Sequence, residues 1–181
     1  MKNVNYSTIY AADDKNIEIC ASIREALIKT GKGCIKQNIP NILYVFENDP
    51  YFKGKFRFNE LTEKIDLVGD FDWRRTGMPV TDTDMNYINM YLDTYYDINN
   101  DRRILQALNI AANNNRYHPI RERLKLLMWD GTPRIRYALH HFLGADTSDL
   151  TYESLKLTML GALERVFNPG CKFEWAFREI T

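Results

Sequence analysis

Residues 81–112, TDTDMNYINMYLDTYYDINNDRRILQALNIAA, decide the fold class. Thr81 and Asp82 supply a cap, and Met85, Ile88, Leu92 and Tyr95 then recur at three- and four-residue intervals, the spacing of one helix face. Asp97 or Asn100 caps a second helix with Ile104, Leu108 and Ala111 as its buried stripe, and the polar run Asn113-Asn114-Asn115 releases the chain.

The helical pattern continues downstream. His118-Pro119 opens a third helix, with Ile120, Leu124, Leu127 and Met128 inward, Arg121, Arg123 and Lys125 outward, and Trp129-Asp130-Gly131 as its close. Thr132-Pro133 starts the next, which buries Ile135, Ala138, Leu139 and Phe142 before Gly144. The last helix is the longest, with Tyr152, Leu155, Met159, Leu163 and Val166 at helical spacing until Asn168-Pro169-Gly170.

Upstream, Asp13 and Asp14 precede Ile19, Ile23 and Leu27, a helix that Gly31 and Gly33 end. Asn38-Ile39-Pro40 caps a short helix from Pro40 to Glu47. The period then changes. Phe56 and Phe58, then Ile65 and Leu67, alternate with polar residues on either side of a polar turn, so a β-hairpin is expected and strands only between about Lys55 and Val68. GDFDWRRTGMPV, residues 69–80, has no period and reads as an exposed loop with Trp73 as its anchor. The expected fold is a mainly helical domain with one small hairpin in its first third. It divides into residues 1–80 and a helical body of residues 81–181, together one compact unit.

Of the 181 residues 45% are hydrophobic and 27% charged, ordinary values for a folded globular chain. No run approaches the roughly 18 apolar residues of a membrane span, and the first residues lack the apolar core of a signal peptide, so no membrane is expected. Cys20, Cys34 and Cys171 form neither a disulfide framework nor a zinc signature and are read as reduced packing residues; His118, His140 and His141 are read as surface or helix-end groups. No metal and no cofactor is expected. Gly31-Lys32-Gly33 lacks the GxxxxGK[ST] spacing of a phosphate cradle, and nucleophile elbows, HExxH and EF-hand loops are absent, so no enzymatic activity is expected. Asp82 and Asp84 open a helix and read as capping and dipole compensation.

The 24 basic and 24 acidic residues cancel overall but not locally. Residues 101–136 hold 8 Lys and Arg against 3 Asp and Glu, whereas residues 1–100 hold 12 against 15 and residues 137–181 hold 4 against 6. In the middle segment Arg102, Arg103, Arg116, Arg121, Arg123, Lys125, Arg134 and Arg136 interleave with Tyr117, Trp129 and Tyr137, a pattern that suits backbone phosphates and stacked bases of DNA or RNA. Ordinary charged helix faces, with Glu122 and Asp130 pairing locally, are the alternative.

Three further stretches carry a resemblance: NNRYHPIRERLKLLMWDGTPRI from Asn114, LGADTSDLTYESLKLTMLGALERVFNPGCKFEW from Leu143, and upstream NILYVFENDPYFKGKFRFNELTEKI from Asn41. Together, over residues 38–175, they resemble virulence-associated protein E, a family of phages, prophages and mobile islands. The resemblance implies a segment that in family members precedes a P-loop ATPase serving replication of the element. Here AFREIT follows Trp175 in place of the apolar strand and phosphate loop, so the ATPase is out of reach. Two expectations follow for this non-enzymatic binding domain in the cytoplasm of a bacterial host. In one it contacts nucleic acid through Arg102–Arg136 as part of a replication protein. In the other it is a free-standing anti-defence protein, like an anti-CRISPR inhibitor, that docks on a host complex with Trp73, Tyr95 and Tyr96 as anchors.

Overall fold

The computed structural model describes residues 14–173. Asp13, expected at the first cap, and the tail from Trp175 onward lie outside them. Among the described residues seven helices and three strands follow in the order α1 (Asp14–Ala26), α2 (Ile39–Asn48), β1 (Phe56–Asn59), β2 (Lys64–Leu67), α3 (Asp82–Tyr96), α4 (Asp101–Asn114), β3 (Arg116–Tyr117), α5 (Pro119–Lys125), α6 (Arg134–Leu143) and α7 (Asp149–Phe167). The fold is mainly helical with a small sheet, the class that the periodicities require. Contacts divide the chain into two compact units, residues 1–118 and residues 119–181. The expected cut at residue 80 is not the one these contacts draw, because α3 packs on α1, and α4 packs on α2, β1 and β2.

The first unit holds the core. Cys20 and Ile23 of α1 and Leu27 just after it belong to this core, while Ile19, expected in that stripe, is exposed. Asn38 caps α2 by accepting a hydrogen bond from the Asn41 amide at 3.1 Å, and Pro40 sits in the first turn, where its missing N–H costs no helical bond. Ile42, Val45 and Phe46 of α2 meet Ile104, Ala107, Leu108 and Ala112 of α4 in one buried cluster with Phe52, Phe56 and Leu67.

β1 and β2 pair antiparallel, Phe56 opposite Leu67 and Asn59 opposite Lys64. The expectation of strands only between Lys55 and Val68 needs one correction: β3 adds to the other edge of β1, parallel, with Phe58 opposite Arg116. A two-residue strand is too short to show alternation, and the pairing is long-range. The Asn115 side-chain amide places it by donating to the carbonyls of Gly54 at 3.3 Å and Phe56 at 3.2 Å, which ties the end of α4 to the start of β1.

Thr81 and Asp84 form a reciprocal capping box at α3, and Asn100 caps α4 by accepting from the Arg103 amide at 3.1 Å. Asp97 instead ends α3 in a left-handed conformation, φ 51°.

The second unit departs further from expectation. α5 ends at Lys125, not at Gly131, and residues 126–133 are non-helical. Leu127 and Met128, expected inward, are exposed. The last turn of α5 closes on i→i−3 bonds, from the Leu126 amide to the Arg123 carbonyl and from the Leu127 amide to the Leu124 carbonyl, both at 3.2 Å, and the WDGT sequence then turns the chain toward α6: Asp130 accepts the Thr132 amide at 3.1 Å and Gly131 adopts φ +83°. Ser148 caps α7, whose 19 residues make it the longest helix among those described.

Candidate interaction surfaces

Three buried carboxylates in the first unit are the first places to look for chemistry, and each holds structure. Asp49 Oδ2 accepts the hydroxyls of Tyr91 at 3.0 Å and Tyr96 at 2.8 Å, and its Oδ1 accepts the Tyr51 amide at 2.8 Å. Burial, with the nearby Asp49 charge, pushes both tyrosine hydroxyls well above their ordinary range. Asp66 Oδ2 accepts Tyr117 Oη at 2.5 Å and Asn59 Nδ2 at 2.8 Å, while its Oδ1 meets no donor among the described residues. Burial and the Asp66 hydrogen bond push Tyr117 up to about 12.

Asp84 binds most firmly. Burial alone would raise its carboxyl, but hydrogen bonds from Arg75, Trp73 and Thr81 outweigh that effect and hold it at about 2. Arg75 also donates to the carbonyls of Leu67 at 2.6 Å and Met78 at 2.9 Å, so the segment between β2 and α3 is pinned at both ends.

That network decides the aromatic candidates. Trp73 is buried, donates from Nε1 to Asp84 at 2.7 Å and stacks on Tyr87 at 4.7 Å between centroids. Tyr96 is fully buried on Asp49, and Tyr95 is half-buried against the ring of Tyr91 at 4.6 Å. Trp73 and Tyr96 therefore offer a partner no surface. Among the cysteines Cys20 is buried, Cys171 is half-buried and Cys34 is exposed, so the reading of all three as packing residues fails at Cys34.

The arginine-rich segment is split by the unit boundary. Arg102, Arg103 and Arg116 belong to the first unit; Arg121, Arg123, Lys125, Arg134 and Arg136 belong to the second. Four of the eight are engaged within their own unit. Arg116 faces Glu60 at 3.5 Å, Arg121 donates to the Val166 carbonyl at 2.6 Å, Arg134 grips Asp130 in a two-point pair at 2.7 and 2.8 Å, and Arg136 meets Asp149 at 2.8 Å. The Arg134 guanidinium holds the Asp130 carboxyl down at about 2. Arg102, Arg103, Arg123 and Lys125 remain exposed, without an ion-pair partner among the described residues.

What the sequence reading missed is apolar. Among the described residues of the second unit only Gly161 is buried. Leu126, Leu127, Met128, Trp129, Phe142, Leu143 and Leu150 are between 67% and 93% exposed. One signal was present: four consecutive large apolar residues, Leu126 to Trp129, cannot all lie on one face of a helix whose residues advance by 100°. Among the described residues no helix is long and apolar enough to cross a membrane, so lipid does not account for this surface as a transmembrane span.

Residues 124–177 match the family model of the virulence-associated protein E-like domain. The match covers α6, α7 and most of the exposed apolar residues, and the resemblance read from WDGTPRI and the NPGCKF segment holds over that stretch. No curated protein matches the sequence.

Proposed function

We propose that the chain is a non-catalytic binding module of a phage or other mobile element, and that it binds a protein through the apolar side of its second unit. The carrying observation is the exposure of the seven side chains from Leu126 to Leu150 in a unit whose described residues bury none of comparable size. Each would contribute roughly 1.5–3 kcal/mol on transfer out of water, and a folded domain does not leave so many uncovered without a use for them.

The charge pattern around them favours protein over nucleic acid. Arg134 with Asp130, Arg136 with Asp149 and Lys156 with Glu153 form pairs that neutralise one another, so these six residues add no net charge to the exposed apolar residues of the unit. A phosphate-binding face would leave those arginines uncompensated. The buried carboxylates of the first unit are bound to tyrosine, tryptophan, arginine and backbone donors, which supports a role in holding the fold and not in turnover. The anti-defence reading, a host complex as target, fits this surface better than the replication reading.

The test is capture from host lysate on the immobilised full chain, beside the double variant Trp129→Asp, Phe142→Asp. One stoichiometric protein should be retained by the wild type and lost by the variant. Capture of nothing, by a chain that sediments as a monomer, defeats the reading. Saturable ATP binding in calorimetry would defeat its non-catalytic part.

A further inference from the structure

The cationic surface that the structure assembles is not the segment Arg102–Arg136 but a junction of two distant stretches in the first unit. Between Glu25 and Glu47 the chain contains no acidic residue, and it carries Lys29, Lys32 and Lys36. These lysines lie on a tight antiparallel turn. Lys29 bridges to Ile35, the Thr30 amide donates to the Cys34 carbonyl at 2.7 Å, and Gly33 closes the tip with φ +82°.

The turn is held from below. Asn41, 2% exposed, accepts the Ile28 amide at 2.9 Å and donates from Nδ2 to the carbonyls of Ile28 and Lys36, both at 2.9 Å. All four hydrogen-bonding positions of a buried amide would be costly to leave empty, and three are filled by the two ends of this turn. The tip is thereby fixed in place before any ligand arrives.

Gln37 then joins the turn to the start of α4. Its Nε2 donates to the Asp97 carbonyl at 2.5 Å and its Oε1 accepts the Asn99 amide at 2.9 Å, immediately before the Asn100 cap and Arg102-Arg103. Arg24 donates to the Tyr95 carbonyl at 3.1 Å and pairs with Asp97, which compensates one of the two acids at the turn, Glu25 being the other. A cleft of about 740 Å³ opens here, lined by Arg24, Glu25, Lys29, Cys34, Gln37 and Asp97 among others. Lys29, Lys32, Lys36, Arg102 and Arg103 are all exposed, with no ion-pair partner among the described residues.

We propose that this turn, with Arg102 and Arg103 beside it, is a binding surface for the phosphate backbone of a nucleic acid. Five cations without an ion pair among the described residues, against Glu25 and Asp101 as acids beside them, suit a polymer that repeats one negative charge per phosphate, since each contact releases a condensed counterion and little side-chain-bearing backbone must be ordered. An anionic bilayer is the poorer fit, because the turn offers only Ile28 as a large exposed apolar group and an interfacial anchor needs a sizeable apolar face. No aromatic residue is among the described residues that line the cleft, so the contact is to backbone and tolerates sequence.

The experiment is fluorescence anisotropy of the full chain with short labelled single-stranded and duplex DNA across a salt series. The triple variant Lys29→Ala, Lys32→Ala, Lys36→Ala should bind at least about tenfold more weakly at low salt and flatten the slope of log affinity against log salt by about two to three units. Arg123→Ala with Lys125→Ala should leave both unchanged. The charge reversal Lys32→Glu, at the solvent-exposed tip, should weaken binding without shifting the melting temperature, which separates lost contact from lost fold. DNA binding indifferent to the triple variant, no DNA binding even at low salt, or retention on phosphatidylserine vesicles in place of DNA would each overturn the proposal. Protein capture through residues 126–142 stands or falls separately.

Discussion

The ring of Phe173 lies on the bare Cα of Gly161: a Cβ added at Gly161 would fall inside the van der Waals envelope of the ring. Arg165 closes the contact by donating to the Phe173 carbonyl at 3.0 Å, with its guanidinium 5.9 Å from the ring. The NPGCKF segment is thus folded back along α7, and glycine at 161 is the condition for it.

Gly161→Ala should therefore displace Phe173 without unfolding α7, because alanine favours helix. Limited chymotrypsin digestion should cut after Phe173 several-fold faster in the variant. Phe173→Ala in the Gly161→Ala background should leave the melting temperature where the single variant puts it. Unchanged cleavage after Phe173 in Gly161→Ala would show that the ring does not depend on the missing Cβ.

Asp49 is the second test. Asp49→Ala removes the carboxylate that accepts two buried tyrosine hydroxyls and the Tyr51 amide, at a cost of about 1–3 kcal/mol for each hydrogen bond lost from a buried group. Urea unfolding of the variant should show a loss of at least about 3 kcal/mol, whereas Tyr96→Phe, which removes donor and polar group together, should lose about 1 kcal/mol. Equal losses would show that Asp49 is not the hub.

Acid should expose the Asp84 network. A carboxyl ordinarily at 3.8 and held at about 2 in the fold contributes stability that is complete above pH 4 and is lost as pH falls toward 2. The contribution is at most about 2 kcal/mol. Urea midpoints measured from pH 5 down to pH 2 should fall more steeply for the wild type than for Asp84→Asn, which is weaker throughout because Arg75 keeps its charge in a mostly buried site. Parallel curves would assign the acid sensitivity elsewhere.

Gly131→Val tests the turn between α5 and α6. Apart from Gly131 and its two chain neighbours no heavy atom lies within 4 Å of a Cβ built there, so the cost is the backbone's, roughly 1–2 kcal/mol for a side chain at φ +83°. Hydrogen exchange in α5 and α6 should accelerate accordingly, and Gly131→Asn, which tolerates the left-handed region, should perturb it less. Unaltered exchange in Gly131→Val would remove the turn from the second unit's stability.

Much of the local structure was legible because it depends on a few residues in a row. Asn38 with Pro40, Thr81 with Asp84, Asn100, and the Asn168-Pro169-Gly170 stop act through bonds between neighbours three or four positions apart, and the 3.6-residue period of Ile88, Leu92, Ile104 and Leu108 records which face meets the core. Hence the order, class and most boundaries of the helices follow from the sequence, as does the resemblance carried by residues 124–177.

The surfaces do not, because exposure is a property of what arrives from elsewhere in the chain. The apolar spacing of Ile135 and Phe142 is that of a buried stripe, yet no described neighbour covers Phe142, which is 78% exposed. The same charge on Arg102 and Arg134 means different things, since one stands exposed in the first turn of α4 with no ion-pair partner among the described residues and the other is gripped by Asp130 four residues before it. Trp73 lies in a segment without a period and is buried because Asp84, eleven residues on, accepts its indole N–H. Local bonding is set by neighbours in sequence; burial, the partner of a charge and the junction of Lys29–Lys36 with the start of α4 depend on long-range closure, which only the folded chain decides.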